Sequence, residues 1–417
     1  MNNDQNNTRV HTFDNGLVLV SERVSGMRSA AMRCMIPSGA VFEDIHNLGA
    51  SSVCSEMLMR GAGALDSRQQ ADAFDRAGAL RSIENGIRYM QLSVTTLGHR
   101  VEDAIPLLMD IVRRPRMADE SFAPAQELAM QGVASLADDP QHRAALAARD
   151  RHLPTPYNRS TLGTTEGIAS LTLDTLSAWW TQNTRPGGTV LAAAGDVDHD
   201  TLVEQIGAAC ADWEGRVEMP AIQGQPARGY AHLDDDSSQV QILIVHDGPS
   251  QGHDDAHLEK LAIAVLSGGM SGRLFTEVRE KRGLCYAVSS SYRADKDRGV
   301  VSNYVGTTPE RAQESLDVLH NEIQRINAGD VTQEELSRAL TGLKSKLIFA
   351  GESTSARAGA IAADQINLGR VRSLEEIVER LSSVTLDELN AYLRRRDLGR
   401  LTIQTLGPNA LNAPGCG

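Results

Sequence analysis

An arginine and a tyrosine in the second half of the chain carry side chains that could act on a peptide. Arg279 and Tyr286 stand seven residues apart. A guanidinium and a phenol hydroxyl both donate hydrogen bonds, so both could hold a peptide carbonyl or the oxyanion that it becomes on attack. The alternative is structural: Arg279 pairs with a neighbouring acid, and Tyr286 is a half-buried strand residue. The residue types alone leave both roles open.

The residues before this tyrosine predict the elements that must position the pair. Residues 268–272 form a glycine-rich loop that leads into a short helix. Gly283 is expected to end that helix, and residues 284–292 read as a strand. We therefore expect Arg279 on the helix and Tyr286 at the start of the strand.

A second informative stretch, residues 47–61, predicts a helix in the first half of the chain. Its apolar residues at Leu48, Val53, Met57 and Leu58 suit one buried face, and the glycine at position 61 supplies a stop. This signal is structural only.

Both stretches resemble the pitrilysin/insulinase-type peptidase family, which includes the mitochondrial processing peptidase. There a helix carries H-x-x-E-H followed by a pattern close to M-L-x-K-G, and residues 57–61 here read M-L-M-R-G. Residues 271–286 read S-G-R-L-F-T-E-V-R-E-K-R-G-L-C-Y, close to the family's S-R-L-F-x-x-L-R-E-K-x-G-L-x-Y. The resemblance covers essentially the whole chain.

The register of this resemblance places non-ligand residues where the family binds zinc. The two histidine positions fall on Ser52 and Glu56, and the general-base glutamate falls on Ser55. The third ligand, a glutamate roughly 75 residues further on, falls on Gly132 or Gln131. A catalytic zinc needs three protein ligands, and serine is a poor one at neutral pH. We therefore expect a degenerate metal site and no metal cofactor in this chain.

The resemblance also implies a function for the second stretch. In family members the Arg and Tyr reach the bound peptide near the zinc, and Gly268 and Gly269 fall in a loop that parallels a glycine-rich substrate loop. We expect a non-catalytic, substrate-binding subunit that lends Arg279 and Tyr286 to a peptide held at the zinc of a homologous partner. The alternative is a structural subunit, like the core proteins of the cytochrome bc complex.

An internal repeat indicates the architecture. The sequence S-L-T-L-D-T-L-S-A-W of residues 170–179 returns as S-V-T-L-D-E-L-N-A-Y, 213 residues later. We predict an α+β fold of two tandem homologous domains, each a mostly antiparallel sheet with helices packed on one side. The predicted boundaries are 1–213 and 229–417, joined by a glycine- and proline-containing linker at 214–228.

Composition narrows the partners and the compartment. With 54 acidic and 41 basic residues the net charge is -13, which argues against nucleic acid and anionic membranes as partners. The polar start of the chain has no apolar signal segment, and no apolar run is long enough to span a membrane. We expect a cytoplasmic protein. The cysteines favour reduced thiols, because they form no C-x-x-C pair; they are Cys34, Cys54, Cys210, Cys285 and Cys416.

Three other features could be read as sites. His253 and His257 have the i, i+4 spacing of a metal-binding helix face, although an aspartate cap with solvated histidines is the more ordinary interpretation. Cys54 could be a nucleophile, but nothing in the sequence marks a histidine base, and free cysteines on apolar faces are usually packed. The basic run at 394–396 is interpreted as a solvated helix end.

Overall fold

A computed structural model describes residues 7–415 of the chain. Residues 1–6, on which most of the signal-segment expectation rests, and Cys416 lie outside the described residues. The strands are β1 (Thr8–Thr12), β2 (Val18–Arg23), β3 (Ser29–Ile36), β4 (Gly61–Ala62), β5 (Leu65–Asp66), β6 (Leu80–Asn85), β7 (Met90–Leu97), β8 (Val190–Gly195), β9 (Gly229–Asp234), β10 (Val240–Gly248), β11 (Cys285–Ala294), β12 (Gly299–Thr307) and β13 (Thr402–Gly407).

The chain also forms fourteen α-helices within the described residues. They are α1 (Ala50–Leu58), α2 (Ser67–Arg76), α3 (Val101–Arg113), α4 (Asp119–Ala134), α5 (Pro140–His152), α6 (Thr165–Ser170), α7 (Leu173–Asn183), α8 (His199–Ala209), α9 (Ala256–Ser267), α10 (Ala312–Asn327), α11 (Gln333–Gly351), α12 (Thr354–Leu368), α13 (Leu374–Ser382) and α14 (Leu386–Arg395). A π-helical turn at Phe275–Glu280 follows α9.

The chain forms two compact units, and each contains one main sheet. Unit 1 comprises residues up to Ser135, Thr155–Gln223 and Ala350–Val371, and unit 2 comprises Leu136–Pro154, Gly224–Phe349 and Arg372 onward. The sheet of unit 1 has the order β1-β2-β8-β3-β7-β6, and that of unit 2 has the order β11-β12-β10-β13-β9. The unit boundary at Gln223 and Gly224 falls inside the predicted linker.

The two sheets share one topology, as the internal repeat predicts. The pair β2 and β8 is parallel in unit 1, as is β9 and β13 in unit 2, whereas the neighbouring pairs are antiparallel. When the sheets are followed from β2 and from β9, the strands of each appear in the same relative chain order: first, fifth, second, fourth and third. The repeated S-x-T-L-D sequence begins a helix in both units, because Thr172 caps α7 and Thr385 caps α14 through their hydroxyl groups. The predicted α+β class is confirmed.

In both units a helix also covers the second face of the sheet. Alternate residues of β3 divide between two apolar clusters, one of which contains Ala358, Ile361 and Ala362 of α12. In unit 2, Leu243 and Val245 of β10 pack with alanines of α5, while their sequence neighbours enter the main core. Helix α12 comes from the second half of the chain and α5 from the first. No pattern in the sequence indicated this exchange.

An ion pair anchors α12 on the sheet of unit 1. The Arg357 guanidinium donates to both carboxylate oxygens of Glu22 in β2, at 3.1 and 2.6 Å. Arg357 is 4 % exposed in its side chain, and Glu22 is 14 % exposed. Two parallel hydrogen bonds to one carboxylate fix orientation as well as distance. The pair therefore sets how α12 lies along the strand.

Candidate functional site

The predicted helix of residues 47–61 is α1, and a buried carboxylate begins it. Gly49 is the N-cap residue of α1, with φ 112, and it has no side chain that could cap the helix. Instead the Glu43 carboxylate accepts hydrogen bonds from the backbone N–H groups of Gly49 and Ser51, both at 2.9 Å, and from the Ser51 hydroxyl. Burial raises the pKa of Glu43, although these hydrogen bonds oppose the shift. A carboxylate at this end of a helix also suits the helix dipole.

The three degenerate zinc positions lie on α1 and present no zinc ligand set. Ser52, Ser55 and Glu56 are all partly exposed. The Ser55 hydroxyl donates to the Ser52 carbonyl at 2.7 Å, so it is engaged within its own helix. Gly132 lies in α4, a helix in contact with α1, and offers no side chain. Across residues 7–415, no three His, Cys, Asp or Glu side chains come together in a way that could hold a metal ion. The donor set does not fit a catalytic zinc.

Cys54 is the one thiol on this helix, and it is inert. Its side chain is fully buried in the apolar core of unit 1. Burial raises the pKa of the Cys54 thiol well above its ordinary value. A thiol rather than a thiolate is therefore present at neutral pH, and a thiol is the weaker nucleophile.

In unit 2, the glycine-rich loop begins where α9 ends. Gly268 is the C-cap residue of α9, and a Cβ at this position would collide with the Ala264 carbonyl oxygen. Gly269 has φ +142, a region that side chains disfavour. The loop then closes with a hydrogen bond from the Gly272 N–H to the Gly269 carbonyl at 2.9 Å. Its backbone therefore depends on glycine at 268 and 269.

A buried arginine fixes the helical turn that follows the loop. The Arg273 guanidinium binds the Glu335 carboxylate at 2.9 and 2.8 Å and Asp330 Oδ1 at 2.5 Å. Its side chain is 5 % exposed. Burial lowers the pKa of Arg273, but the hydrogen bonds that it donates to Glu335 and Asp330 outweigh that effect, so the net shift is upward. Arg273 lies within the matched motif, but its residue type and position gave no sign of this structural role.

Arg279 projects from that turn with its guanidinium exposed. Its guanidinium carbon stands 4.9 Å from the centroid of the Phe275 ring, which lies one helical turn earlier. Among the described residues, no carboxylate lies within ion-pair distance of Arg279. The structural alternative, pairing with a neighbouring acid, is therefore not what this part of the chain shows. Lys281 and Arg282 instead share Glu277.

Tyr286 lies in a β-bulge at the start of β11. Cys285 pairs with Thr307 and Ala287 with Gly306, so Tyr286 is an extra residue on its strand. A bulge bends a strand and changes the direction of a side chain. Tyr286 is 43 % exposed, and its hydroxyl donates to Gln239 Oε1 at 2.6 Å.

A short hydrogen-bonded chain continues from this hydroxyl into the sheet. Gln241 Nε2 donates to the Tyr286 hydroxyl at 3.4 Å, and Gln241 Oε1 accepts from the Tyr304 hydroxyl at 2.7 Å. Burial, together with the neighbouring Tyr286, raises the pKa of Tyr304, which keeps that hydroxyl protonated as a donor. The sequence offered no sign of Gln239, Gln241 or Tyr304, because glutamines and tyrosines on strands are common and the contacts are tertiary.

The remaining candidates from the sequence do not form sites. Helix α9 begins at Ala256, so His253 precedes it and does not share a helix face with His257. Burial lowers the pKa of His257. The interpretation of 394–396 as a solvated end is wrong for Arg396, which is 4 % exposed and paired with the buried Glu259 at 2.9 Å.

Comparison with known proteins agrees with the motif resemblance. Residues 170–343 match the family model described as the peptidase M16 inactive domain. An uncharacterized zinc protease of Mycobacterium tuberculosis is 26% identical over 410 residues, which is 95% of this chain and 92% of that protein. A similar protein of Streptomyces coelicolor, also named an uncharacterized zinc protease, is 26% identical over 408 residues, covering 95% and 89% of the two chains.

This chain is therefore similar to M16 peptidases. Solved structures share its fold: a peptidase M16 inactive domain from Pseudomonas fluorescens has a TM-score of 0.84 with 22% identity, over 98% of this chain and 99% of that one. A protease from Helicobacter pylori has a TM-score of 0.82 with 16% identity, over 96% and 99%. The predicted family resemblance is confirmed.

The part of the chain that matches the inactive-domain model contains one of the two candidate sites and not the other. It contains the glycine-rich loop, Arg279 and Tyr286, and it excludes α1 with Ser52, Ser55 and Glu56. The match supports a non-catalytic M16 subunit.

No helix within residues 7–415 combines the length and apolar character that a bilayer crossing requires.

Proposed function

We propose that this chain is the zinc-less, substrate-holding subunit of a two-chain peptidase. Its partner is a homologous subunit that carries an intact H-x-x-E-H helix and the zinc. Arg279 and Tyr286 hold a peptide whose scissile bond lies at the partner's zinc. Zinc would supply the activated water there, and this chain contributes only hydrogen-bond donors.

The observation that carries the proposal is the contrast between the two units. Unit 1 offers serines and one glutamate at the family's zinc positions. Unit 2 keeps an exposed guanidinium at Arg279 and a phenol on a bulge at Tyr286, supported by Gln239. A purely structural subunit would have no need of a positioned, exposed donor pair.

These donors suit the proposed chemistry. The Tyr286 phenol has one O–H, which would turn from Gln239 to a substrate carbonyl oxygen as that oxygen gains negative charge. Loss of one such donor lowers turnover by roughly 100- to 1,000-fold in well-studied hydrolases. The Arg279 guanidinium offers several N–H groups in a fixed plane, which suits peptide carbonyls as well as carboxylates. We expect Tyr286 to act mainly on turnover and Arg279 mainly on peptide binding.

The test combines this chain with a zinc-bearing M16 homologue from the same organism. Cleavage of quenched peptides is measured for each chain alone, for the mixture, and for mixtures with Arg279→Ala or Tyr286→Phe. The matched control is Arg282→Ala, which removes an exposed arginine three residues away that is already paired with Glu277. Activity gained on mixing and lost in the two variants, but kept in the control, would support the proposal.

Two other outcomes would argue against it. If the mixture were active and the Arg279 and Tyr286 variants were as active as the native chain, the structural-subunit alternative would gain. If the chain alone bound stoichiometric zinc and cleaved peptides in a chelator-sensitive way, the interpretation of α1 would be wrong.

A further inference from the structure

A cleft in unit 2 lies between the glycine-rich loop and α11. Its volume is about 40 Å³, and the loop contributes Gly268, Ser271 and Gly272 to its wall. The opposite wall is the face of α11 that carries Arg338, Gly342 and Lys346. This is room for about three water molecules, at roughly 10–15 Å³ each. The cleft therefore suits the end of one short side chain or of one peptide chain rather than an extended segment.

The charged side chains that line the cleft differ in how strongly they are already paired within the protein. Glu335 lines it, but both oxygens of that carboxylate are hydrogen bonded to Arg273. Arg338 forms an ion pair with Glu334, which is 81 % exposed. A solvent-exposed ion pair of this kind contributes little to stability. Lys346 is exposed and forms no ion pair among the described residues. Lys346 is thus unpaired among the described residues, and Arg338 is held only by an exposed pair that a ligand carboxylate can replace.

The floor of the cleft is apolar, and its floor and helical wall leave room for a side chain. Ala264, Val265, Ala339 and Leu343 form the floor. A Cβ at Gly342 would have no atom within 4 Å, so this glycine leaves open space rather than serving the helix. An apolar base beneath two cations is the arrangement expected for a short side chain that ends in a carboxylate.

We propose that this cleft binds a carboxylate carried by the peptide substrate, and this inference rests on the proposed peptide-holding function. The carboxylate lies between Arg338 and Lys346, and the methylene groups that carry it pack on the apolar floor. An acidic side chain and the C-terminal carboxylate of a peptide have the same chemistry. The protein as a whole is acidic, at -13, so a local cationic site is needed to attract such a ligand.

The experiment measures fluorescence anisotropy of three labelled peptides with the purified full chain. One peptide is neutral with an amidated C-terminus, the second has the same sequence with a free C-terminus, and the third is amidated with one central aspartate. We expect the second or the third to bind at least about tenfold more tightly than the first, the range of a charge-assisted hydrogen bond. The one that does identifies the source of the carboxylate.

Variants test whether the cleft is responsible. The double variant Arg338→Gln/Lys346→Gln should abolish the preference, and Lys344→Gln, two residues away on the same helix and outside the cleft, should retain it. Gly342→Leu should weaken binding by occupying the open space with the charges intact, and it replaces a glycine with a better helix former. Equal binding of the three peptides, a preference that survives the double variant, or an equal loss in Lys344→Gln would each overturn the inference.

The same assay separates this inference from the proposed function. The Arg279→Ala/Tyr286→Phe variant should keep the carboxylate preference while cleavage by the mixed subunits falls. If the preference were absent but cleavage still depended on Arg279 and Tyr286, only the cleft assignment would fail. If the preference were present and cleavage did not depend on that pair, the cleft would stand and the proposed function would fail.

Discussion

Gly306 in β12 lies directly against the hydroxyl of Tyr286 in the neighbouring strand. A Cβ at Gly306 would stand 2.7 Å from the Tyr286 oxygen and 2.5 Å from the Tyr304 oxygen. Both hydroxyls therefore occupy space that only glycine leaves free. The bulge at Tyr286, its partners Gln239 and Gln241, and this glycine form one positioning arrangement.

Replacement of Gly306 should disturb the tyrosine without touching its chemistry. In Gly306→Ala the new methyl group must displace one of the two hydroxyls, and we expect a stability loss of about 1–3 kcal/mol from overpacking. Turnover with the zinc-bearing partner should fall toward the value of Tyr286→Phe. Gly132→Ala is the control, since its nearest neighbour would be 3.9 Å away. Unchanged turnover in Gly306→Ala would contradict this arrangement.

Gln239 should act as a positioning residue for Tyr286. Removal of its amide in Gln239→Ala leaves the half-exposed phenol with a single weak partner at 3.4 Å, so turnover should fall by about tenfold, less than in Tyr286→Phe. Gln239→Glu keeps an oxygen acceptor and should restore most of the activity. Peptide KM should change little in both variants. A fall in Gln239→Glu as large as that in Gln239→Ala would show that the hydrogen bond is not the cause.

The ion cluster of Arg273 should be a main source of stability in unit 2. Arg273→Met leaves the Glu335 carboxylate without its cation, whereas Asp330 keeps its pair with Arg325 at 3.2 Å. Breaking a buried pair of this kind costs about 3–5 kcal/mol. Lys281→Met removes an exposed pair with Glu277 in the same segment and should cost less than about 1 kcal/mol. Urea unfolding of the two variants measures both values. Similar losses in both would mean that burial of Arg273 does not matter.

His246 should make the protein less stable in mild acid. Burial lowers the pKa of His246 to about 4 from 6.5, with Arg396 and His152 adding to the shift and Glu259 and the Asp247 carbonyl opposing it. Between these values the unfolded chain binds a proton that the folded chain does not. The free energy of unfolding should therefore fall as pH drops from 6.5 to 4, by an amount on the order of 3 kcal/mol.

His246→Gln should flatten this part of the pH profile, because glutamine does not titrate and its amide can still donate to the Asp247 carbonyl, which lies 2.8 Å from the native Nδ1. The control is His253→Gln, whose side chain is 56 % exposed in the native protein. Unfolding free energies at several pH values give the comparison. An unaltered slope in His246→Gln would assign the acid sensitivity to another group.

The register of the degenerate zinc helix can be tested by restoration. Ser52→His, Ser55→Glu and Glu56→His together rebuild the family motif on α1, and Gly132→Glu or Gln131→Glu supplies a third ligand from α4. We expect one of these two fourfold variants to bind one zinc per chain by elemental analysis, and the native chain to bind none. The threefold variant should lose zinc readily on dialysis. No zinc in either fourfold variant would place the motif elsewhere.

Local sequence predicted the elements that depend on neighbours along the chain. The apolar spacing of residues 47–61 predicted helix α1 with its buried face, because that pattern acts within a few residues. The repeat then implied two sheets of one topology, because equal sequences bury equal faces. The motif likewise marked Arg279 and Tyr286, but their roles stay predictions.

Contacts between distant residues decided the rest. The alanine-rich helices α5 and α12 have weak apolar patterns, so their sequences did not indicate which sheet each would cover. In the folded chain, small apolar side chains pack both helices on their sheets, and the Arg357–Glu22 ion pair also holds α12. The direction of Tyr286 depends on a one-residue bulge against β12 and on Gln239, 47 residues earlier. A sequence determines which side chains are present and how each segment prefers to fold, whereas a cleft, a bulge or a buried charge exists only once separate segments exclude water together.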